Sequence, residues 1–157
     1  MSASASLKKS RNPFCRQALR PFTFHEMNLY PCAYSMTFNV TQKPGEDRLT
    51  LNGILNQRSQ DVLAANNWNV VQYAVLLHMI AQVSNMNVGE LVHVIADAHI
   101  YDRHVPIIKE LIAREPLPAP TFWLNPDIKD FYQFTRNDVR VDNYVTGEQI
   151  KDIPIAI

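Results

Sequence analysis

Met36, Phe38 and Val40 alternate with Thr37 and Asn39, the period-two pattern of a half-buried strand. Lys43-Pro44-Gly45-Glu46-Asp47 is turn chemistry. Leu49, Leu51, Gly53 and Leu55 then resume the alternation, which runs out at Gln57-Arg58-Ser59. The two runs predict a long antiparallel hairpin. Residues 70–83 are apolar nearly all round, which predicts a central buried helix about 21 Å long. Asn69 is placed to cap it and Asn87 and Gly89 to stop it. Leu91 to Ala96 reads as a β-branched strand. Ile107, Ile108, Leu111 and Ile112 mark one face of a short helix, and Pro116, Pro118 and Pro120 enforce an extended connector. Phe122-Trp123-Leu124 predicts a strand. Asn125-Pro126-Asp127 predicts the start of a further short helix, and Val139 and Val141 a last strand. Strands and helices mix without regular βαβ alternation, so the predicted class is α+β.

Composition changes this picture little. The chain has 157 residues, 46% of them hydrophobic, which suits one domain with its own core. Fifteen basic residues balance fifteen acidic ones, so nothing predicts a nucleic-acid duplex as partner. The charge is nevertheless uneven. Lys8, Lys9, Arg11, Arg16 and Arg20 face no acid before residue 23, leaving ten bases against fifteen acids in the rest. The Ser/Ala/Lys-rich start predicts a disordered basic lead over residues 1–24, with the ordered domain over residues 25–157. Cys15 and Cys32 form neither a metal spacing nor a disulfide framework, which predicts a cytoplasmic setting. No apolar run is long enough to predict a membrane span, and no metal cluster or glycine-rich phosphate loop is visible.

Several short runs carry possible chemistry. Cys32, in Tyr30-Pro31-Cys32-Ala33-Tyr34, reads either as a small core residue or as a thiolate nucleophile. The second reading needs a nearby cation, and Arg58 ends the strand paired with the one that Cys32 begins. Gln57-Arg58-Ser59-Gln60-Asp61 packs a guanidinium and a hydroxyl that fit a phosphate, or is simply a solvated strand end. In an extended chain Asp97, His99 and Tyr101 share one face, Ala98 and Ile100 the other. The polar face suits a wall that grips hydroxyls, or merely meets water. The Asn69 amide both donates and accepts, as the edge of a pyrimidine base requires. His78 and His93 read as satisfied or peripheral histidines.

In order along the chain stand Pro31-Cys32, Gln57-Arg58-Ser59-x-Asp61, Asn69-x-x-x-Tyr73, Asp97-x-His99-x-Tyr101, Arg114-Glu115-Pro116-x-Pro118 and a final Pro154-Ile155-Ala156-Ile157. Together they resemble the thymidylate synthase family, from about Met27 to Ile157. The resemblance implies a thymidylate synthase-like mixed sheet packed on a long buried helix. The implied activity is reductive methylation of deoxyuridine monophosphate (dUMP), with 5,10-methylenetetrahydrofolate as co-substrate and no metal. By similarity Cys32 is the nucleophile that adds to uracil C6, and Arg58 and Ser59 bind the phosphate. Gln60 lies in the nucleotide-binding segment, Asp61 faces both nucleotide and folate, and Asn69 reads the uracil edge. His99, Ile100 and Tyr101 form the ribose-binding segment with Asp97 behind it, and Ala156 belongs to a tail over the folate. Family members are homodimers.

The chain departs from that family at Ala33, where members have His. It also lacks, before Cys32, the family's arginine loop, catalytic Glu, Trp near the folate and paired arginines. Glu26 lies too close to Cys32 to be that Glu, and Arg11, Arg16 and Arg20 are not adjacent. Residues 25–157 therefore predict the C-terminal part of such an enzyme, weakly active or inactive alone, behind an unrelated lead. The alternatives are a dUMP hydroxymethylase and a non-enzymatic remnant or subunit partner.

Overall fold

The computed structural model describes residues 31–154; the expected lead, the boundary after residue 24, Ala156 and Ile157 lie outside them. The first two strands, β1 (Ala33–Thr41) and β2 (Thr50–Gln57), form the expected antiparallel hairpin. Its turn is built on Pro44 and Gly45. Glu46 N–H donates to the Lys43 carbonyl at 3.1 Å, and Gly45 sits at φ +84°, a conformation a side chain would resist.

A two-residue strand, β3 (Gln60–Asp61), follows, and then α1 (Asn66–Val83). The helix starts at Asn66, so Asn69 is not its cap; the Asn69 N–H donates to the Ala65 carbonyl from within the first turns. Its end lies earlier than Asn87. Asn85 adopts φ +54°, Met86 N–H donates to the Ala81 carbonyl and Asn85 N–H to the Gln82 carbonyl. This paired closure satisfies carbonyls the last turn would leave bare, with Asn in the left-handed position often given to Gly.

Asn87 and Gly89 therefore belong to a strand, β4 (Asn87–Ile95), which pairs parallel with β2 to give the sheet order β1-β2-β4. The register shifts between Leu51 and Gly53. There β4 carries an extra residue, and the Asn52 Oδ1 accepts from the Glu90 N–H at 3.0 Å. Gly89 is needed at this bulge, because a Cβ would meet Asn52 Oδ1 and lie 2.8 Å from the Leu51 carbonyl oxygen.

The core lies between this sheet and α1. Leu51, Leu77 and Ala81 are buried together, with Met36, Phe38, Ile80, Met86 and Leu91 packed against them. α1 buries only Leu77 and Ala81, while Trp68 is 79% exposed; its near-continuous apolar sequence is thus used on one side in the described residues.

Beyond β4 come β5 (Ala98–His99), a 3₁₀ turn (Asp102–His104) and α2 (Val105–Ile112). Pro106 fits the first turn of α2, where its missing N–H costs nothing. Ile107 and Ile108 are half-buried, but Ile112 is largely exposed, so the apolar face is shorter than its sequence suggests. The proline connector leads to β6 (Thr121–Leu124), which pairs antiparallel with β7 (Val139–Asp142). Among the described residues no α-helix follows Asn125. Its side chain instead accepts from the Asp127 N–H, and two 3₁₀ turns, Phe131–Gln133 and Arg136–Asp138, fill the interval. Among the described residues no helix is long and apolar enough to cross a membrane.

Candidate active site

The end of β2 positions the first pair of candidate residues. Arg58 N–H donates to the Cys32 carbonyl at 2.8 Å. The Arg58 Nε donates to the Pro31 carbonyl at 3.2 Å. The ladder that closes the hairpin thus brings the Arg58 backbone onto that of Cys32, whose residue is half-buried, and the Arg58 side chain turns onto the Pro31 carbonyl.

Two strands of two residues each join the remaining motifs. β3 and β5 pair parallel, Gln60 opposite Ala98 and Asp61 opposite His99. Gln60 N–H donates to the Asp97 carbonyl at 2.8 Å and Val62 N–H to the His99 carbonyl at 3.0 Å. Segments nearly forty residues apart in sequence become one surface, because each backbone supplies the partner the other would lack. On it, Asp97 Oδ2 lies 3.2 Å from His99 Nδ1. The His99 ring meets Tyr101 edge-on at 5.1 Å, and Tyr101 meets His104 at 5.6 Å. Asp97, His99 and Tyr101 therefore do share a neighbourhood.

Asp61 is held by its own turn, since its Oδ1 accepts from the Leu63 N–H at 3.0 Å and the Ala64 N–H at 3.2 Å. Its second oxygen makes no hydrogen bond among the described residues. Asn69, on the first turns of α1, directs Nδ2 at Gln60 Oε1, 3.4 Å away, so the helix start joins the same cluster. Tyr73, one turn later, is half-buried, and burial pushes its hydroxyl pKa up.

Residues to which the sequence analysis gave no role in the site also belong here. Gln57 is 1% exposed; it follows Leu51, Gly53 and Leu55 on the inward face of β2, and a polar residue closing an apolar alternation was the available signal. His93 Nε2 lies 2.9 Å from Gln57 Oε1, so the satisfied reading of this histidine holds. His104 is 3% exposed. Its Nε2 lies 2.8 Å from the Pro154 carbonyl and its Nδ1 4.0 Å from Asp61 Oδ1, which ties the C-terminal segment to the site. Arg114 fastens the same segment through its Nη1, which donates to the Glu148 carbonyl at 2.7 Å. His78 stands apart, its ring 4.7 Å from Phe122 and its pKa lowered by burial. Among the described residues no group of three His, Cys, Asp or Glu is placed to hold a metal ion.

Comparison with known proteins follows this geometry. The sequence model of the family described as Thymidylate synthase matches residues 8–157. A thymidylate synthase of Bacillus subtilis subsp. natto is 38% identical over 143 residues, covering 88% of this chain and 49% of that protein. Thymidylate synthase 1 of Bacillus amyloliquefaciens is 37% identical over 149 residues, covering 92% and 62%. The solved structure of the thermostable thymidylate synthase A from Bacillus subtilis superposes with a TM-score of 0.73 at 39% identity, over 85% of this chain and 46% of that one. The chain thus spans about half the length of most of the curated relatives it matches. With a thiol and a guanidinium on adjoining backbone, and the two polar motifs zipped into one surface, the match in sequence coincides with the match in arrangement: the chain belongs to the thymidylate synthase family.

Proposed function

We propose that this chain carries the nucleophile and nucleotide clamp for reductive methylation of dUMP to thymidylate. The observation that carries the reading is the seating of Arg58 on the backbone of Pro31 and Cys32. It sets the Cys32 sulfur at the end of the strand pair that also carries Arg58, and the thiolate is the form of cysteine that attacks carbon. In the proposed step the Cys32 sulfur adds to uracil C6. The electron pair of the C5–C6 bond moves to C5 and the C4 carbonyl, and C5 becomes the nucleophile toward the one-carbon unit. The folate co-substrate supplies that carbon; C5 then gives up its proton, the C6–S bond breaks to return the Cys32 thiolate, and hydride from the folate reduces the one-carbon unit to methyl as the folate leaves as dihydrofolate.

Arg58 and Ser59 bind the phosphate as a fork and a hydroxyl donor. His99 and Tyr101 hold the ribose hydroxyl, with Ile100 between them and Asp97 behind His99. Asp61 suits the folate, because its turn engages one carboxylate oxygen and leaves the other for an N–H of the pterin. Ala156 retains its proposed place in the tail over the folate. Hydroxymethylation of the same nucleotide differs only in what meets the one-carbon unit last, and no observation favours it.

Covalent capture tests the reading. Incubation with 5-fluoro-dUMP and methylenetetrahydrofolate should leave a ternary adduct on Cys32, found by intact-protein and peptide mass spectrometry. No nucleotide binding and no adduct would support the non-enzymatic alternative. Capture is preferable to turnover because the chain spans about half the length of its relatives, and we propose that turnover by the chain alone is weak. Asn69→Asp should shift preference from dUMP toward deoxycytidine monophosphate (dCMP) by roughly tenfold or more, since a protonated carboxyl pairs differently with cytosine. Equilibrium titration with both nucleotides reads the shift, and unchanged binding of both removes Asn69 from the role.

The homodimer belongs to the same proposal. Ile54, Val92 and Val94 stand exposed on the sheet face opposite the core, and a second copy would cover this apolar strip. Sedimentation velocity distinguishes a dimer from a monomer across concentration.

A further inference from the structure

An Asn side chain is a two-faced reader. With its oxygen toward N3–H and its nitrogen toward O4 it fits uracil. Rotated by half a turn, it presents nitrogen to N3 and oxygen to the amino group and fits cytosine. Discrimination by Asn69 therefore needs something that stops the rotation.

The neighbours of Asn69 supply it, and their orientations follow from backbone groups that can only accept. Gln57 Nε2 donates to the Ser59 carbonyl at 2.8 Å, which fixes nitrogen on that side and turns Gln57 Oε1 to His93. The His93 Nε2, 2.9 Å away, must then carry the proton. The second N–H of Gln57 donates to Gln60 Oε1. Gln60 Nε2 faces another backbone acceptor, the Asp61 carbonyl, at 3.4 Å. Both ends of Gln60 are thereby set, and its oxygen is the atom that meets Asn69 Nδ2 at 3.4 Å. Gln57 and Gln60 are each 1% exposed, so an inverted amide would bury oxygen against oxygen with no water to mediate.

We propose that the Gln60 side-chain carbonyl is a specificity-determining group, which holds the Asn69 amide in the single orientation that accepts uracil and refuses cytosine. Gln60 is a positioning residue in this role, with Gln57 fixing it in turn. The inference rests on the reading of Asn69 as the residue facing the base.

The test compares dUMP and dCMP titrations of the whole chain and of Gln60→Met, which keeps length and removes the acceptor. The parent should prefer dUMP by roughly ten- to a hundred-fold, the size of one or two mispaired hydrogen bonds. In Gln60→Met that ratio should fall to about threefold or less, a loss of selectivity that mere loosening of the site would not produce. A selective parent with an equally selective variant overturns the inference and leaves the proposed function standing. A parent that binds neither nucleotide removes both. Should Gln60→Met fail to fold, NMR of the parent without nucleotide decides. Protons of the Gln57 and Asn69 side-chain amides that share the Gln60 oxygen should give a mutual cross-relaxation peak, and its absence overturns the inference.

Discussion

Cys32→Ser is expected to slow covalent capture of 5-fluoro-dUMP by at least about 10³-fold, while the nucleotide still binds. The thiolate is the form of cysteine that attacks carbon, and sulfur is an intrinsically strong nucleophile. A serine hydroxyl ionises far less readily and is a much weaker nucleophile toward carbon. Serine is close to cysteine in size, and the Cys32 contact that joins the strands is a backbone carbonyl accepting from Arg58 N–H. The substitution therefore removes sulfur and little else. Adduct formation followed by intact mass against time gives the rate. Equilibrium titration with dUMP, expected to change by no more than about threefold, shows that the pocket survives. The second cysteine provides the decisive control. Cys15→Ser should leave capture intact; a protein that keeps its adduct after Cys32→Ser and loses it after Cys15→Ser would place the nucleophile elsewhere.

The hairpin that carries Cys32 and Arg58 was legible because its signals are local. Alternation over five residues sets the first strand and over seven the second, and Pro44-Gly45 sets the turn between them. The site is assembled by signals that are not local. β3 and β5 are two residues each, too short for any period to show, yet they bring Asp61 beside His99. Gln57 and His93 meet across thirty-six positions through a parallel pairing of β2 and β4 that alternation alone does not reveal. The start of α1 was hidden because Asn66, Asn67 and Asn69 offer competing caps, and the backbone uses none of them: Ala65 stands at the cap. Asn87 was mistaken for the stop because Asn85, two residues earlier, takes the left-handed conformation that closes the helix, while Asn87 already belongs to β4. The individual site residues were suggestive only as a set in fixed order; two of the joins between them are backbone pairings, Arg58 with Cys32 and Gln60–Val62 with Asp97–His99.

Leu77→Ala is expected to cost about 2–5 kcal/mol, the range for a leucine cut back where its surroundings cannot collapse. Leu77 is 2% exposed and packs with Leu51 and Ala81 between α1 and the sheet. Gly53 lies directly opposite, where an added Cβ would stand 3.5 Å from Leu77 Cδ1. Leu51, Ala81 and the partly buried Met36, Phe38, Ile80, Met86 and Leu91 already pack together around this point, so the gap left by the shortened side chain closes only in part. Against a typical domain stability of about 5–15 kcal/mol, the loss is large enough to lower the melting temperature by at least about 5 °C. Trp68→Ala on the same helix sets the comparison. Trp68 is 79% exposed, and its removal should stay within about 0.5 kcal/mol. Urea midpoints of the two variants against the parent give both numbers. Equal shifts would mean that α1 does not meet the sheet through Leu77. The effect also reaches the chemistry, because the same helix carries Asn69 about 12 Å along its axis. A partly destabilised Leu77→Ala protein, still folded at low temperature, should bind dUMP more weakly there while capturing 5-fluoro-dUMP on the same sulfur, since Cys32 is held by the hairpin and Asn69 by the helix.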